Sequence, residues 1–476
     1  MSSSPTAATD EVNASCRVPL SALFVSAACW LVVYSAFAMV ASIKFHSPNF
    51  LSGHACLTYG RVHAVAANAL LYGFALQAGL GVALWIFART GETPASRPWL
   101  IAAGAKLWNL GVVVGAIGIL GGDTTGFENL EMPRYAAVIL FFSYLMVGAW
   151  TALTLHHRRE RPLTPPHWFL LAALFWFAWI YPTACLFLVK YPVRGVAQSV
   201  IAWWYSDNLN VVVLGLVGLA AFFHFIPKFA GRPLHSRYLA LFTFWTWILF
   251  GSWCGIPGSA PVPAWMPALS NVAAVLTVIP LMAIGMNIFQ TNRGASCPEE
   301  KSVAPWFICF GLAMFQLAGL MRAATGLDTI SAVTNFTWFT VAQSMLNTYG
   351  FFAITMFGAI YYILPRVIGM EWPFARWVRL HFWLAAAGIL LLVVPLAIGG
   401  VIEGFNLNNS KIAFTEIAKA TLPFLRASTL GETLIFLGHL LFLGNLAGLL
   451  VRYCRARFAP IYASAIAEIE PAEAQL

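Results

Sequence analysis

Residues 203–226, Trp203-Trp204-Tyr205-Ser206-Asp207-Asn208 running into LNVVVLGLVGLAAFFHFI (209–226), decide the fold. After Asp207 the stretch carries no charge up to Ile226, and its apolar residues do not alternate with polar ones. About 20 apolar residues cross the ~30 Å hydrocarbon layer as a helix, whereas a barrel strand alternates. Working outward from 208–226, runs of the same kind lie near 18–42, 64–88, 98–120, 134–156, 167–189, 237–256, 264–290, 303–321, 335–363, 380–404 and 430–451. The pattern predicts an all-α membrane protein of twelve transmembrane helices. Composition agrees: of 476 residues, 60% are hydrophobic and 9% charged, against roughly a quarter charged in soluble domains. One membrane domain is expected over residues 18–452, between a polar N-terminal tail (1–17) and a C-terminal tail (453–476) whose acidic end reads as disordered.

The net charge of +9 reflects topology and not nucleic-acid binding. Lys and Arg gather in alternate loops, as in Arg158, Arg159 and Arg161, in Arg293 and Lys301, and in Arg452, Arg455 and Arg457. Basic residues favour the cytoplasmic side, so both termini are placed there. No basic segment precedes the first apolar run, so no cleaved signal peptide is expected. The eight cysteines form no C-x-x-C pair; covalent c-type haem is excluded, and most read as small apolar fillers.

Ionisable residues inside the bilayer are costly and mark function. Histidine is the most informative, because imidazole binds haem iron and copper. Of ten histidines, His156, His157, His167, His235 and His381 fall at span edges and read as solvated or headgroup-facing. His46 and His54 lie in the first outer loop. His224 reads as an aromatic-belt residue, and His439 as an interhelical hydrogen-bonding group or a second candidate ligand. Lys106 reads as snorkelling, and most of the 19 tryptophans as interface residues. His63 opens the second span in Gly60-Arg61-Val62-His63-Ala64-Val65-Ala66-Ala67-Asn68-Ala69, whose small residues leave room for a flat macrocycle. Arg61 nearby could pair with a haem propionate.

With these stretches in view the chain resembles the catalytic subunit of haem–copper oxidases, particularly the cbb3-type cytochrome c oxidase branch, with nitric oxide reductases as neighbours. The resemblance spans nearly the whole chain. It rests on residues 60–69, Gly126-Phe127-Glu128-Asn129-Leu130-Glu131-Met132-Pro133, Trp203 to Asn208, Phe225-Ile226-Pro227-Lys228, Tyr361-Tyr362-Ile363-Leu364-Pro365-Arg366 and Leu425-Arg426-Ala427. It implies twelve helices in three arcs around haem-bearing pores, with six histidines: two on a low-spin haem, one on a high-spin haem and three on copper.

His63 matches the low-spin ligand of the second span; the other positions depart. Asp207 stands where a copper histidine is implied, Pro257 and Gly258 fall near the adjacent copper pair, and Gln343 and Met345 replace the His-x-His of the tenth span. The active-site tyrosine and a nearby glutamate of the family fall near Ala318 and Ala324. One carboxylate without partners does not make a copper site, so copper and oxygen reduction are not expected. A thioether is a legitimate haem ligand, and His/Met coordination raises the potential. The resulting expectation is one low-spin b-type haem between His63 and Met345, with Arg61 and Arg426 retained on the outer side. Electrons would come from a c-type cytochrome or another respiratory subunit. Glu128 and Glu131 suit calcium in a weak carry-over. Two readings stand beside this one: an active terminal oxidase or nitric oxide reductase, and a haem-free structural or transport protein on the same scaffold.

Overall fold

The computed structural model describes residues 5–159, 162–294 and 302–473; Arg161, Cys297 and Lys301 lie outside the described residues. Among the described residues twelve long helices follow one another, besides the short helical segments Ala55–Leu57 and Asp328–Thr334: α1 Pro5–His46, α2 Tyr59–Thr90, α3 Pro98–Gly121, α4 Arg134–His156, α5 Pro165–Lys190, α6 Val196–Ala230, α7 Arg237–Gly251, α8 Trp265–Asn292, α9 Ala304–Thr325, α10 Trp338–Ile368, α11 Ala375–Leu407 and α12 Phe414–Glu473. Among the described residues eleven of them are long and apolar enough to cross a membrane. The seventh, α7, has 15 residues, about 22 Å at 1.5 Å per residue. Each helix falls on one of the twelve runs expected from the sequence.

Two terminal expectations are corrected. Residues 5–17 are the first turns of α1, with Val12 and Cys16 buried and the Arg17 Nε donating to the Val367 carbonyl at 3.0 Å. At the other end α12 continues as helix to Glu473 where a disordered tail was expected. The chain starts and ends on one face of the bundle, hereafter the terminal face.

The helices sort into two shells. In α2, α6 and α10, 89–100% of the most apolar window is buried, against 39–50% in the other spans that reach membrane length. Small residues let these three pack closely in the centre, while the outer helices turn Leu, Phe and Trp toward lipid. Each inner helix also contains a π-helical turn: Ala69–Ala75, Asn208–Val213 and Leu346–Ala353. Such turns widen the backbone and recur at functional sites. They fall just after His63 and directly after Asp207 and Met345. Polar side chains knit them together. The Tyr72 and Tyr205 hydroxyls meet at 2.6 Å, and the Asn347 amide donates to the Asn210 carbonyl at 3.1 Å. Around this centre, α11 and α12 approach through Gly388 and Gly431. A Cβ on Gly431 would lie 2.7 Å from the Gly388 carbonyl oxygen.

Candidate functional site

The three inner helices bring the sequence candidates to two neighbouring cavities. The first, about 360 Å³, is lined by His63 from α2 and Met345 from α10. Its walls are apolar (Leu70, Leu71, Leu392, Leu396, Leu425), and Ala38, Ala41, Ala66 and Ala67 supply the space. At the face opposite the termini, Phe45 packs on Tyr59 at 4.7 Å and edge-on to Trp338 at 4.5 Å. His63 stacks on Tyr59 at 5.3 Å, which fixes the imidazole plane. An imidazole and a thioether on different helices thus line one largely apolar cavity, a donor pair that could hold a haem iron.

Glu128 and Glu131, on the loop between α3 and α4, also line this cavity. Burial pushes the Glu131 carboxyl up to about 7, although the Asn68 amide donates to it at 2.9 Å; burial raises Glu128 too. No group of three or more His, Cys, Asp or Glu side chains that could hold a metal ion occurs among the described residues. Arg61 and Arg426 are not among the lining residues. The Arg61 guanidinium instead caps α3 by donating to the Leu120 carbonyl at 3.0 Å, and Arg426 is exposed.

The second cavity, about 300 Å³, gathers the departed positions: Asp207, Pro257, Gly258, Gln343 and Ala318 all line it. Its centre is an ion pair that sequence reasoning missed. Arg322 of α9 donates to the Asp207 carboxylate at 2.5 Å, with side chains 22% and 9% exposed. Cys254 lies beside the pair, and its thiol is pushed up to about 12, mainly by burial. A cation thus sits beside the position where a copper histidine was implied, but it is a guanidinium. The signal was present in the sequence, since Arg322 ends an otherwise apolar run.

Other histidines are corrected. His381 and His167 are buried, not solvated: the Tyr361 hydroxyl meets the His381 Nδ1 at 2.9 Å, and His167 closes a capping box with Thr164 at the start of α5. His224 is buried against Trp85 rather than lying in an interfacial belt. His439 is buried and paired with the Tyr349 hydroxyl at 2.9 Å; it does not line the first cavity, which leaves it outside a ligand role there. His156, His157 and His235 are exposed as expected, and so is Lys106 on α3. Cys16 and Cys254 are buried fillers, but Cys29, Cys56, Cys309 and Cys454 are exposed; Trp85 and Trp108 are core residues, not belt residues. Glu432 of α12, not singled out from the sequence, lines the first cavity.

Comparison with solved structures gives the architecture its class. A haem–copper terminal oxidase dimer determined by electron cryomicroscopy superposes with a TM-score of 0.73, over 92% of this chain and 84% of that one, at 14% identity. The fold is therefore that of a haem–copper oxidase. The family model described as Cytochrome C and Quinol oxidase polypeptide I matches residues 19–434, and the chain belongs to that family. Similar proteins include the Cbb3-type cytochrome c oxidase subunit CcoN1 of Stutzerimonas stutzeri, 23% identical over 82% of this chain and 85% of that protein. The cytochrome c oxidase subunit 1 of Rhodobacter capsulatus is 23% identical over 88% and 82%. A nitric oxide reductase subunit of Stutzerimonas stutzeri is 26% identical over 46% and 40%.

Proposed function

We propose that this chain is a respiratory electron-transfer subunit that binds one low-spin b-type haem between His63 and Met345 and does not reduce oxygen. The observation that carries the reading is the division of labour between the cavities. One holds an imidazole and a thioether in an apolar slot; the other holds an internal ion pair where a copper centre would need imidazoles. In the first cavity His63 and Met345 would hold the haem iron. Tyr59 would orient the His63 ring, and Phe45, Tyr59 and Trp338 would limit water entry. The bound haem would supply one-electron chemistry at a potential raised by the thioether. In the second cavity Arg322 occupies the only carboxylate at a former ligand position, so copper finds no matching donor set.

The chain would sit in a bacterial inner membrane with both termini cytoplasmic, and would accept electrons on the opposite face from a c-type cytochrome partner. A pyridine haemochrome assay is expected to return one haem b per chain. Carbon monoxide is expected to leave the reduced spectrum unchanged, because His63 and Met345 would both be engaged with the iron. Two haems per chain, a carbon monoxide shift or bound copper would overturn the proposal.

A further inference from the structure

The second cavity keeps polar groups that neither packing nor the ion pair uses. It lies at the face opposite the termini, and exposed Gly258 of the loop after α7 stands in its wall. The Asp207–Arg322 pair forms one side. A turn holds Asp207 there: Gly255 takes a left-handed φ of +102°, and a Cβ on it would meet the Asp207 Cγ at 2.9 Å. Around the pair stand the amides of Asn210, Asn271, Asn335, Gln343 and Asn347. Most of them are engaged inside the protein. The Asn347 amide donates to the Asn210 carbonyl at 3.1 Å, the Asn210 amide to the Ser206 carbonyl at 2.9 Å, and the Asn271 amide to the Asp328 carboxylate at 3.0 Å. The side chains of Gln343 and Asn335 make no hydrogen bond to any described residue.

The pair itself is incomplete. The Asp207 side chain is 9% exposed, and its Oδ2 is buried without a hydrogen bond. A buried acceptor without a donor is costly, and ionisable groups within a membrane protein mark binding sites. The Arg322 guanidinium carries more N–H donors than its bond to Asp207 uses, and it stays 22% exposed while lining the cavity. An acceptor that lacks a donor thus stands beside a donor group with capacity to spare. The two charges of the pair cancel. Glu128 is the other charged side chain of the lining, and burial raises its carboxyl, which disfavours its ionised form. A lone cation or anion would bring an uncompensated charge into this interior, whereas a molecule carrying both charges would not.

We propose that the second cavity binds a free α-amino acid, taken up from the face opposite the termini. The ammonium group of the ligand donates to the Asp207 carboxylate, and its carboxylate accepts from the Arg322 guanidinium. A single carbon separates the two charged groups of such a ligand, which matches a carboxylate and a guanidinium already in contact at 2.5 Å. The ammonium must carry hydrogens, because what Asp207 Oδ2 lacks is a donor. Gln343 and Asn335 remain for the side chain of the ligand. A volume of about 300 Å³ is at the lower end for ligand pockets, which suits a small amino acid. Binding makes and breaks no covalent bond, and it does not depend on whether the first cavity holds haem.

Full-length protein in lipid nanodiscs, open on both faces, is dialysed to equilibrium against labelled glycine, alanine and glutamine. Saturable binding of at least one of them, at one molecule per chain, is expected. Acetate, methylammonium and trimethylglycine offer the carboxylate alone, the ammonium alone and the two charges without an N–H; none is expected to displace the amino acid at equal concentration. Asp207→Asn keeps the side-chain oxygen that Arg322 meets, and should weaken binding by about tenfold or more, the scale of one charge-assisted hydrogen bond. Gln343→Leu leaves the pair untouched and should weaken glutamine binding by about fivefold, the scale of a neutral hydrogen bond. The double variant Arg322→Met with Asp207→Leu removes both charges together and should bind none of the probes. Melting temperatures close to the parent's in these variants separate lost binding from lost fold. Binding of none of the three amino acids overturns the proposal. So does displacement by acetate, methylammonium or trimethylglycine as strong as by the amino acid, or full affinity in both Asp207→Asn and the double variant. A protein that binds an amino acid but no haem overturns the haem reading alone.

Discussion

Removing one partner of the Arg322–Asp207 pair should destabilise the protein far more than removing both. The Asp207 side chain is 9% exposed and its Oδ2 has no hydrogen-bond partner, so the Arg322 contact at Oδ1 is its one compensating interaction. Breaking a buried pair by deleting one member costs about 3–5 kcal/mol, whereas replacing both members with apolar residues of similar volume is often neutral or stabilising. Arg322→Met is therefore expected to cost ~3 kcal/mol or more, and Asp207→Leu a similar amount. The double variant should return to within ~1 kcal/mol of the parent. At roughly 2.1 cal/mol/K of unfolding entropy per residue, the 476 residues convert ~3 kcal/mol into a Tm shift of about 3 °C. Tryptophan fluorescence during thermal unfolding in detergent reads this directly, and the double-mutant cycle isolates the coupling. Single variants costing under ~1 kcal/mol, as exposed ion pairs do, would refute the burial argument. A double variant no better than the worse single would refute the compensation argument.

Met345→His is expected to retain one haem and lower its midpoint potential, because His/His coordination lies below His/Met; redox titration of the Soret band reads it, and an unchanged potential would remove Met345 from the iron. Glu131 titrates at about 7 in the folded protein against an ordinary value of 4.5, because it is buried. The folded state therefore holds the proton longer, and stability should fall as pH rises from about 4.5 to 7 and level off above. Glu131→Gln should flatten that part of the melting-temperature profile, and a slope unchanged by the substitution would count against the assignment. The Glu403 carboxylate of α11 accepts the Trp338 backbone N–H at 2.9 Å at the start of α10. Glu403→Ala should cost about 1 kcal/mol, as the loss of a helix N-cap does, with faster amide exchange confined to the first turn of α10. Gly431→Leu should force α11 and α12 apart, since a Cβ there already meets the Gly388 oxygen at 2.7 Å; a cost of about 1–3 kcal/mol is the usual scale of overpacking, and an unchanged unfolding midpoint would argue against the close contact.

The fold was legible because the bilayer imposes a length and an apolarity that recur in plain view at every span. The inner position of α2, α6 and α10 was less visible. Their runs look as apolar as those of α11 and α12, and buried amides do not separate them, since Asn445 of α12 is as buried as Asn208 of α6. The first cavity could be anticipated from His63 and Met345, which lie in the second and tenth apolar runs and need no knowledge of loops. The ion pair could not. Asp207 and Arg322 lie far apart in sequence, and each alone resembles the ordinary charge at the end of a span. The same limit applies to the pairs Tyr361–His381 and Tyr349–His439. Each depends on which helix faces pack together, and no periodicity in one helix reports the face of another. Arg61 donates to the carbonyl end of α3, an acceptor that a reading of α2 alone does not consider.

The walls of the His63–Met345 cavity come from both extremes of the polypeptide: Tyr34, Ala38 and Ala41 from α1, and Leu425, Ser428 and Glu432 from α12. A nascent chain that has inserted ten helices would already carry His63 and Met345 yet would lack one side of the slot. The pocket is completed only when synthesis is nearly finished and α12 docks against α1. Any cofactor it holds is then enclosed only once α12 has docked, and truncating α12 would remove one wall of the cavity while leaving both candidate ligands in place.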